Sequence, residues 1–194
     1  MLTRQHKFVL ILCAFVFSAI KINAQDHASN KLYAIVQQGF VFNNSDVGVQ
    51  PGLAAGGQWK GFGLGIAAAI DFLSVRSFQT SIDLRKTANA GKFCLVAFVN
   101  PGLNNIIPTK KEKQAALRFY QDQQFKNGTY LEAGGGILMG KKKNLLAAFY
   151  WSRKTYKETY TNILWNPVLQ NIEAVPATNK YITNRLGIKL AIIF

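Results

Sequence analysis

Few side chains in this sequence are equipped for covalent or metal chemistry, and their positions remove most of them from contention. The histidines are His6 and His27, and the cysteines are Cys13 and Cys94. His6 and Cys13 fall inside an apolar N-terminal stretch, and His27 falls in the short polar segment that follows it. A general base needs a neighbour that orients it within hydrogen-bond reach of its substrate, and a zinc site needs about four nitrogen or sulfur ligands. Neither set can be assembled here, so no catalytic, cofactor-binding or metal-ligating residue is expected. With Cys13 removed by processing, Cys94 has no partner for an intramolecular disulfide. Gly135-Gly136-Ile137-Leu138-Met139-Gly140-Lys141 superficially resembles a phosphate-binding loop, but position 142 is Lys rather than Ser or Thr. Its glycines also sit within a strand-like alternation and not between a strand and a helix.

The remaining candidates are charges, and their meaning depends on the elements that carry them. The dominant signal has period two. Ile182, Asn184, Leu186, Ile188, Leu190, Ile192 and Phe194 share one face, while Arg185 and Lys189 stand on the other. Phe62, Leu64, Ile66, Ala68, Ile70 and Phe72 oppose Gly63, Gly65, Ala67, Ala69 and Asp71. Phe78, Thr80, Ile82 and Leu84 oppose Gln79, Ser81, Asp83 and Arg85. The same alternation runs through 53–60, 130–139 and 145–152, and less cleanly through 31–42 and 93–103, where Val96 and Phe98 interrupt the polar face. Side chains that alternate in this way require two different media on the two sides of the strand. About eight segments of about ten residues each suit strands that cross a bilayer at a tilt.

The connections alternate in length. Short ones fall at Lys60-Gly61, Lys86 to Lys92 and Gly140 to Asn144; the longest, Asn104 to Gly128 and Tyr156 to Asn179, both lie at the opposite end. This predicts an all-β fold: an antiparallel transmembrane β-barrel of about eight strands, with short periplasmic turns and longer extracellular loops. A soluble lipocalin-like barrel that binds an apolar ligand would also alternate, with its apolar face inward. Small residues on the polar face fit a narrow lumen. Trp59, Phe62, Phe72, Phe78, Phe149 and Trp151, placed near strand ends on the apolar face, suit an interfacial girdle. Both features favour apolar-out. The charges Asp71, Glu132 and Arg185 then fall toward the outer end of the lumen, and Lys60, Asp83 and Arg85 toward the inner end. An unpaired charge in such an interior is costly, so Asp71, Asp83, Arg85, Glu132 and Arg185 are candidates for an internal ion-pair network, as a plug or, alternatively, a gated ion path.

Upstream, Arg4 and Lys7 precede an apolar run from Phe8 to Ile20, and Ala24 precedes Gln25. This reads as a signal peptide over 1–24, cleaved after Ala24, with a periplasmic leader over 25–30 and the barrel over 31–194. The apolar run is too short to span a bilayer as a helix. The net charge of +14 raises affinity for anionic partners; without a nucleic-acid motif, lipopolysaccharide is the better match. Thr109 to Glu112 has capping-box spacing, which predicts a short helix over about 110–124. Lys110, Lys111, Lys113 and Arg118 make that loop basic and are candidates for anion contacts.

Arg185-Leu186-Gly187-Ile188-Lys189-Leu190-Ala191-Ile192-Ile193-Phe194 has a polar residue, Gly two positions on, then alternating apolar residues up to an aromatic. This resembles the assembly signal of outer-membrane β-barrels, carried here by Arg185, Gly187, Leu190, Ile192 and Phe194. The whole mature chain resembles the small OmpA/OmpX-type "outer membrane protein β-barrel domain" group. That resemblance implies residence in outer-membrane lipid, insertion by the barrel assembly machinery, and no cofactor. It implies a non-enzymatic structural or surface-binding role, with a narrow pore or an accessory secretion subunit as alternatives. Membrane-embedded lipid A deacylases and acyltransferases use a histidine that the barrel region lacks.

Overall fold

A computed structural model describes residues 31–43, 46–73, 75–90, 93–108, 121–140, 144–166 and 171–194. The readings for residues 1–30, for Lys110, Lys111, Lys113 and Arg118, and for Lys141 to Lys143 lie outside these. The strands are β1 (Lys31–Asn43), β2 (Asp46–Trp59), β3 (Phe62–Asp71), β4 (Ser77–Ala90), β5 (Phe93–Ile106), β6 (Gln121–Lys126), β7 (Gly128–Met139), β8 (Leu145–Asn166) and β9 (Asn171–Ile193). Eight of them pair antiparallel in the ring order β1-β2-β3-β4-β5-β7-β8-β9, and β9 returns to β1. The closing seam runs from Ile35 opposite Ile193 to Phe42 opposite Leu186. It extends to Phe194, whose N–H donates to the Ala34 carbonyl (2.8 Å) and whose carbonyl accepts from the Ala34 N–H (3.3 Å). Closure leaves no open sheet edge along the seam, the condition a β-structure must meet in hydrocarbon.

The two faces settle which medium lies where. Ile66, Phe149 and Leu186 are 74%, 73% and 66% exposed, whereas Asp71, Asp83 and Lys154 are wholly buried at 0%. Large apolar side chains cover the outside of every barrel strand, from Leu32 on β1 to Ile192 on β9. Leaving a Leu, Ile or Phe in water forgoes roughly 1.5–3 kcal/mol of burial each, so this exterior is suited to lipid. The reversed, lipocalin-like arrangement is overturned. Some apolar groups do face inward: Val96 and Phe98, which interrupted the polar face of β5, are buried with Tyr33, Ile35, Val41 and Cys94.

Local chemistry explains the turn between β2 and β3. Lys60 (φ 47°) and Gly61 (φ 77°) both take positive φ, the two-residue geometry whose twist matches that of the flanking strands. Trp59 then pairs with Phe62, and the Lys60 ammonium lies 4.8 Å over the Trp59 ring. Lys60 is therefore an exposed turn residue and not a lumen charge, which corrects its expected placement.

Three further expectations are corrected. Tyr156 to Asn179 is not an irregular loop. β8 and β9 continue as a hairpin past Tyr156 opposite Tyr181, through Thr161 opposite Pro176, to Asn166 opposite Asn171. Above the lipid both sides of a strand meet water, so hydrophobic alternation ends although the strands do not; the run Thr155-Tyr156, Thr159-Tyr160-Thr161 is rich in strand-favouring residues. Of the helix expected over 110–124, residues 110–120 lie outside the described residues, and the end is corrected: Gln121–Lys126 form β6 against β8. The extension of β8 offers unpaired backbone groups there, and β6 satisfies them. The short connection expected at Lys86 to Lys92 is narrower than predicted, since β4 runs to Ala90 and β5 begins at Phe93.

Ile66 stands at mid-strand on the outer face. We expect Ile66→Lys to destabilise the barrel in lipid vesicles by about 2–4 kcal/mol, read from urea unfolding. A loss below about 0.5 kcal/mol, as at a water-exposed site, would contradict a lipid-facing exterior.

Candidate functional site: the charged interior of the barrel

The interior charges come from alternate positions of different strands, so closure alone brings them together. Near the outer end, the Asp71 side chain of β3 accepts at Oδ2 from Lys154 Nζ on β8 (2.9 Å) and from Arg185 Nη1 on β9. All three side chains are 0% exposed. Asp71 Oδ1 accepts from the Leu73 N–H (2.8 Å). Lys154 Nζ also donates to the carbonyls of Leu73 (3.0 Å) and Val75 (3.3 Å), which ties the β3–β4 connection down over the cluster.

Deeper in, Glu132 of β7 accepts at Oε1 from Lys189 Nζ on β9 and from Asn100 Nδ2 on β5 (2.8 Å), and at Oε2 from the Tyr130 hydroxyl (2.7 Å). The Lys189 ammonium also sits 4.8 Å and 4.9 Å from the Phe98 and Tyr150 ring centres. The two clusters are linked. Gln50 Nε2 donates to Tyr130 Oη (3.0 Å) and to Gln79 Oε1, and Gln79 Nε2 donates to Asp71 Oδ2 (3.3 Å). The Tyr150 hydroxyl donates to Gln50 Oε1 (2.8 Å). One hydrogen-bonded system thus spans from Lys189 to Lys154.

A separate inner cluster centres on Asp83 of β4. Its Oδ2 accepts from the Tyr33 hydroxyl (2.8 Å) and from Arg85 Nε (2.9 Å) and Nη2. The Arg85 guanidinium lies 4.7 Å over the Tyr33 ring. Asp71, Glu132 and Arg185 therefore share one network and Asp83 and Arg85 another. Glu132 and Arg185 do not pair directly; their charge partners are Lys189 and Asp71.

Sequence reading missed Lys154 and left Lys189 unassigned, along with the relays Gln50, Gln79 and Tyr130. The signal for Lys154 is parity: Leu146, Ala148, Tyr150 and Ser152 are all buried inward, and Lys154 is the next even position on β8. Of the residues in the assembly-type motif, Arg185 lies inside, while Leu190, Ile192 and Phe194 are exposed outside. Gly187 makes room for an aromatic ring, since a Cβ there would fall 2.5 Å from Tyr150 Cζ. A Cβ at Gly39 would likewise fall 2.6 Å from the Tyr150 hydroxyl.

These side chains are buried in the interior of the barrel. The cavity between Gln37, Gln79, Asn100 and Glu132 measures only about 10 Å³, room for about one water. Among the described residues no cluster of three or more His, Cys, Asp or Glu could hold a metal ion.

No family model matches this chain, and no curated protein does. Among solved structures, the chain is similar to the crystal structure of the outer membrane protein OprG from Pseudomonas aeruginosa. The TM-score is 0.57 at 10% sequence identity, over 89% of this chain and 99% of that one. At that identity the likeness speaks to the fold. It supports the resemblance to small outer-membrane barrels at the level of architecture, and no narrower grouping.

Asp71→Asn leaves Lys154 and Arg185 buried around a neutral amide. We expect a loss of about 3–5 kcal/mol, as for a broken buried pair, measured by urea unfolding in detergent micelles. Gly187→Ala should cost about 1–3 kcal/mol through overpacking against Tyr150. A Gly187→Ala barrel as stable as the parent would mean that the Tyr150 ring has space to move.

Proposed function

We propose that this chain is a non-enzymatic outer-membrane barrel that stabilises the envelope or binds partners through its extracellular surface. The observation that carries this reading is the inversion of polarity: buried ionic networks inside an exterior band of exposed apolar side chains. OprG, similar in fold, is an outer membrane protein by its description. The reading includes a signal peptide over 1–24 cleaved after Ala24, and insertion by the barrel assembly machinery through the 185–194 motif. Kinship to the OmpA/OmpX-type group, and anion contacts by Lys110, Lys111, Lys113 and Arg118, belong to the same proposal. The charge-paired interior supports a plug over a gated ion path, because moving an ion through it would require breaking several buried charge pairs at once.

Two measurements test this. In cell fractionation the protein should appear in the outer membrane, with an unheated band that runs faster than the boiled one. A soluble protein with no mobility shift would overturn the reading. In planar bilayers, the parent and Arg185→Ala should both be silent; current steps from either would favour the gated path.

A further inference from the structure

Above the lipid-suited band, the pairing of β6, β8 and β9 produces an arrangement that folding energetics alone disfavours. Lys126 stands directly opposite Lys157, and Lys157 directly opposite Lys180. Directly opposed residues share a face, and neighbouring strands lie about 4.8 Å apart, so the three lysines form one row about 10 Å long. All three are exposed. Like charges directly opposite one another are destabilising in a sheet.

Among the described residues, none that flanks the row on its own face is a carboxylate. The flanking positions are Gln124, Thr159 and Thr178 on one side and Thr155 and Ile182 on the other. The nearby carboxylate, Glu158, faces the opposite way. There it accepts from the Tyr181 hydroxyl (2.7 Å) and from Gln123 Nε2, and that hydrogen bond, with burial, raises the Tyr181 pKa above its usual value.

The face that carries the row continues the lipid side of the barrel. On β8 it runs Leu145, Ala147, Phe149, Trp151, Arg153, Thr155, Lys157, and on β9 Ile192, Leu190, Ile188, Leu186, Asn184, Ile182, Lys180. The row thus lies six residues beyond Trp151, about 20 Å along the strand and roughly 15 Å along the barrel axis at the usual tilt. Lysine stems can reach back toward the membrane surface from there.

We propose that Lys126, Lys157 and Lys180 form a docking row for the phosphorylated saccharide headgroup of outer-leaflet lipopolysaccharide. This rests on the outer-membrane reading above. The row lies outside the lumen, on strands. Three ammonium groups in line suit phosphomonoesters carried on a rigid sugar chain, which can offset the repulsion that the register imposes.

The test uses the full mature chain, purified in detergent, with heat-modifiable mobility as the check that each variant is a folded barrel. The probe is rough lipopolysaccharide with a phosphorylated inner core, compared with the same material dephosphorylated by hydrofluoric acid. Each surface lysine near an anionic headgroup is worth on the order of fivefold in affinity. The triple variant Lys126→Gln, Lys157→Gln, Lys180→Gln should therefore bind phosphorylated material roughly 100-fold more weakly, and dephosphorylated material should bind the parent comparably weakly. Equal binding of both materials, or a folded triple variant that binds like the parent, would overturn the proposal. Full displacement by inorganic phosphate at matched phosphate concentration would overturn the commitment to a lipid headgroup. Without lipopolysaccharide, Lys157→Gln alone should keep or raise the unfolding temperature at low salt, because it removes the central repulsion; a drop would show that the row is not repulsive. Should the parent fail the mobility check, the barrel reading fails first.

Discussion

An eight-stranded ring encloses an interior just wide enough for side chains, and the constraint on this molecule is that each charge pointing into it must find an opposite charge there. Asp71 is where that constraint is most severe. Its carboxylate holds both Lys154 and Arg185, side chains that arrive from two other strands and are as completely buried as Asp71 itself. The same contact anchors the β3–β4 connection, because the Lys154 ammonium also holds the Leu73 and Val75 carbonyls. The larger of the two networks follows from this site: Gln79 and Gln50 relay it to Tyr130 and Glu132, and Glu132 fixes Lys189. Small residues stand where large ones need space, as Gly39 and Gly187 do around Tyr150.

The exterior obeys a different rule. Where it is apolar, the strands belong to the barrel; where it turns polar on both sides, they continue into water. β8 and β9 cross that boundary without a break, and the residues next to Trp151 and Leu186 on the outer face are Arg153 and Asn184. Beyond it the hairpin is held by side-chain contacts of the kind found on water-exposed sheets. Tyr156 stacks on Tyr181 at 4.8 Å with 14° between the rings, and Asn179 Nδ2 donates to the Tyr160 hydroxyl at 3.1 Å. β6 adds a third strand to this extension. The surface beyond the apolar band is therefore an ordered sheet over much of its described extent, with a defined set of side chains on each face.

The similarity to OprG at 10% identity shows how little of such a fold resides in particular residues. Alternation, closure and a filled interior can be met by many sequences, so shared architecture carries little information about a shared ligand. What distinguishes this chain is which charges it places in the lumen and which it sets in line outside.

Period-two alternation, written locally in residues such as Phe62 to Phe72 and Ile182 to Phe194, determined by itself that the chain forms amphipathic strands, about how many, and which residues share a face. That information is local because the side-chain period of a strand is fixed by its backbone. Partnership was decided only by the tertiary structure. Arg185 is 114 positions from Asp71; parity places both toward the outer end of the lumen, but nothing in either neighbourhood states that Asp71 pairs with Arg185 or Glu132 with Lys189. The strand segments above the lipid were equally hidden, because water on both sides removes the alternation that marks a strand. β6 and the row of Lys126, Lys157 and Lys180 exist only through register across three strands, a property of pairing geometry that no single segment carries.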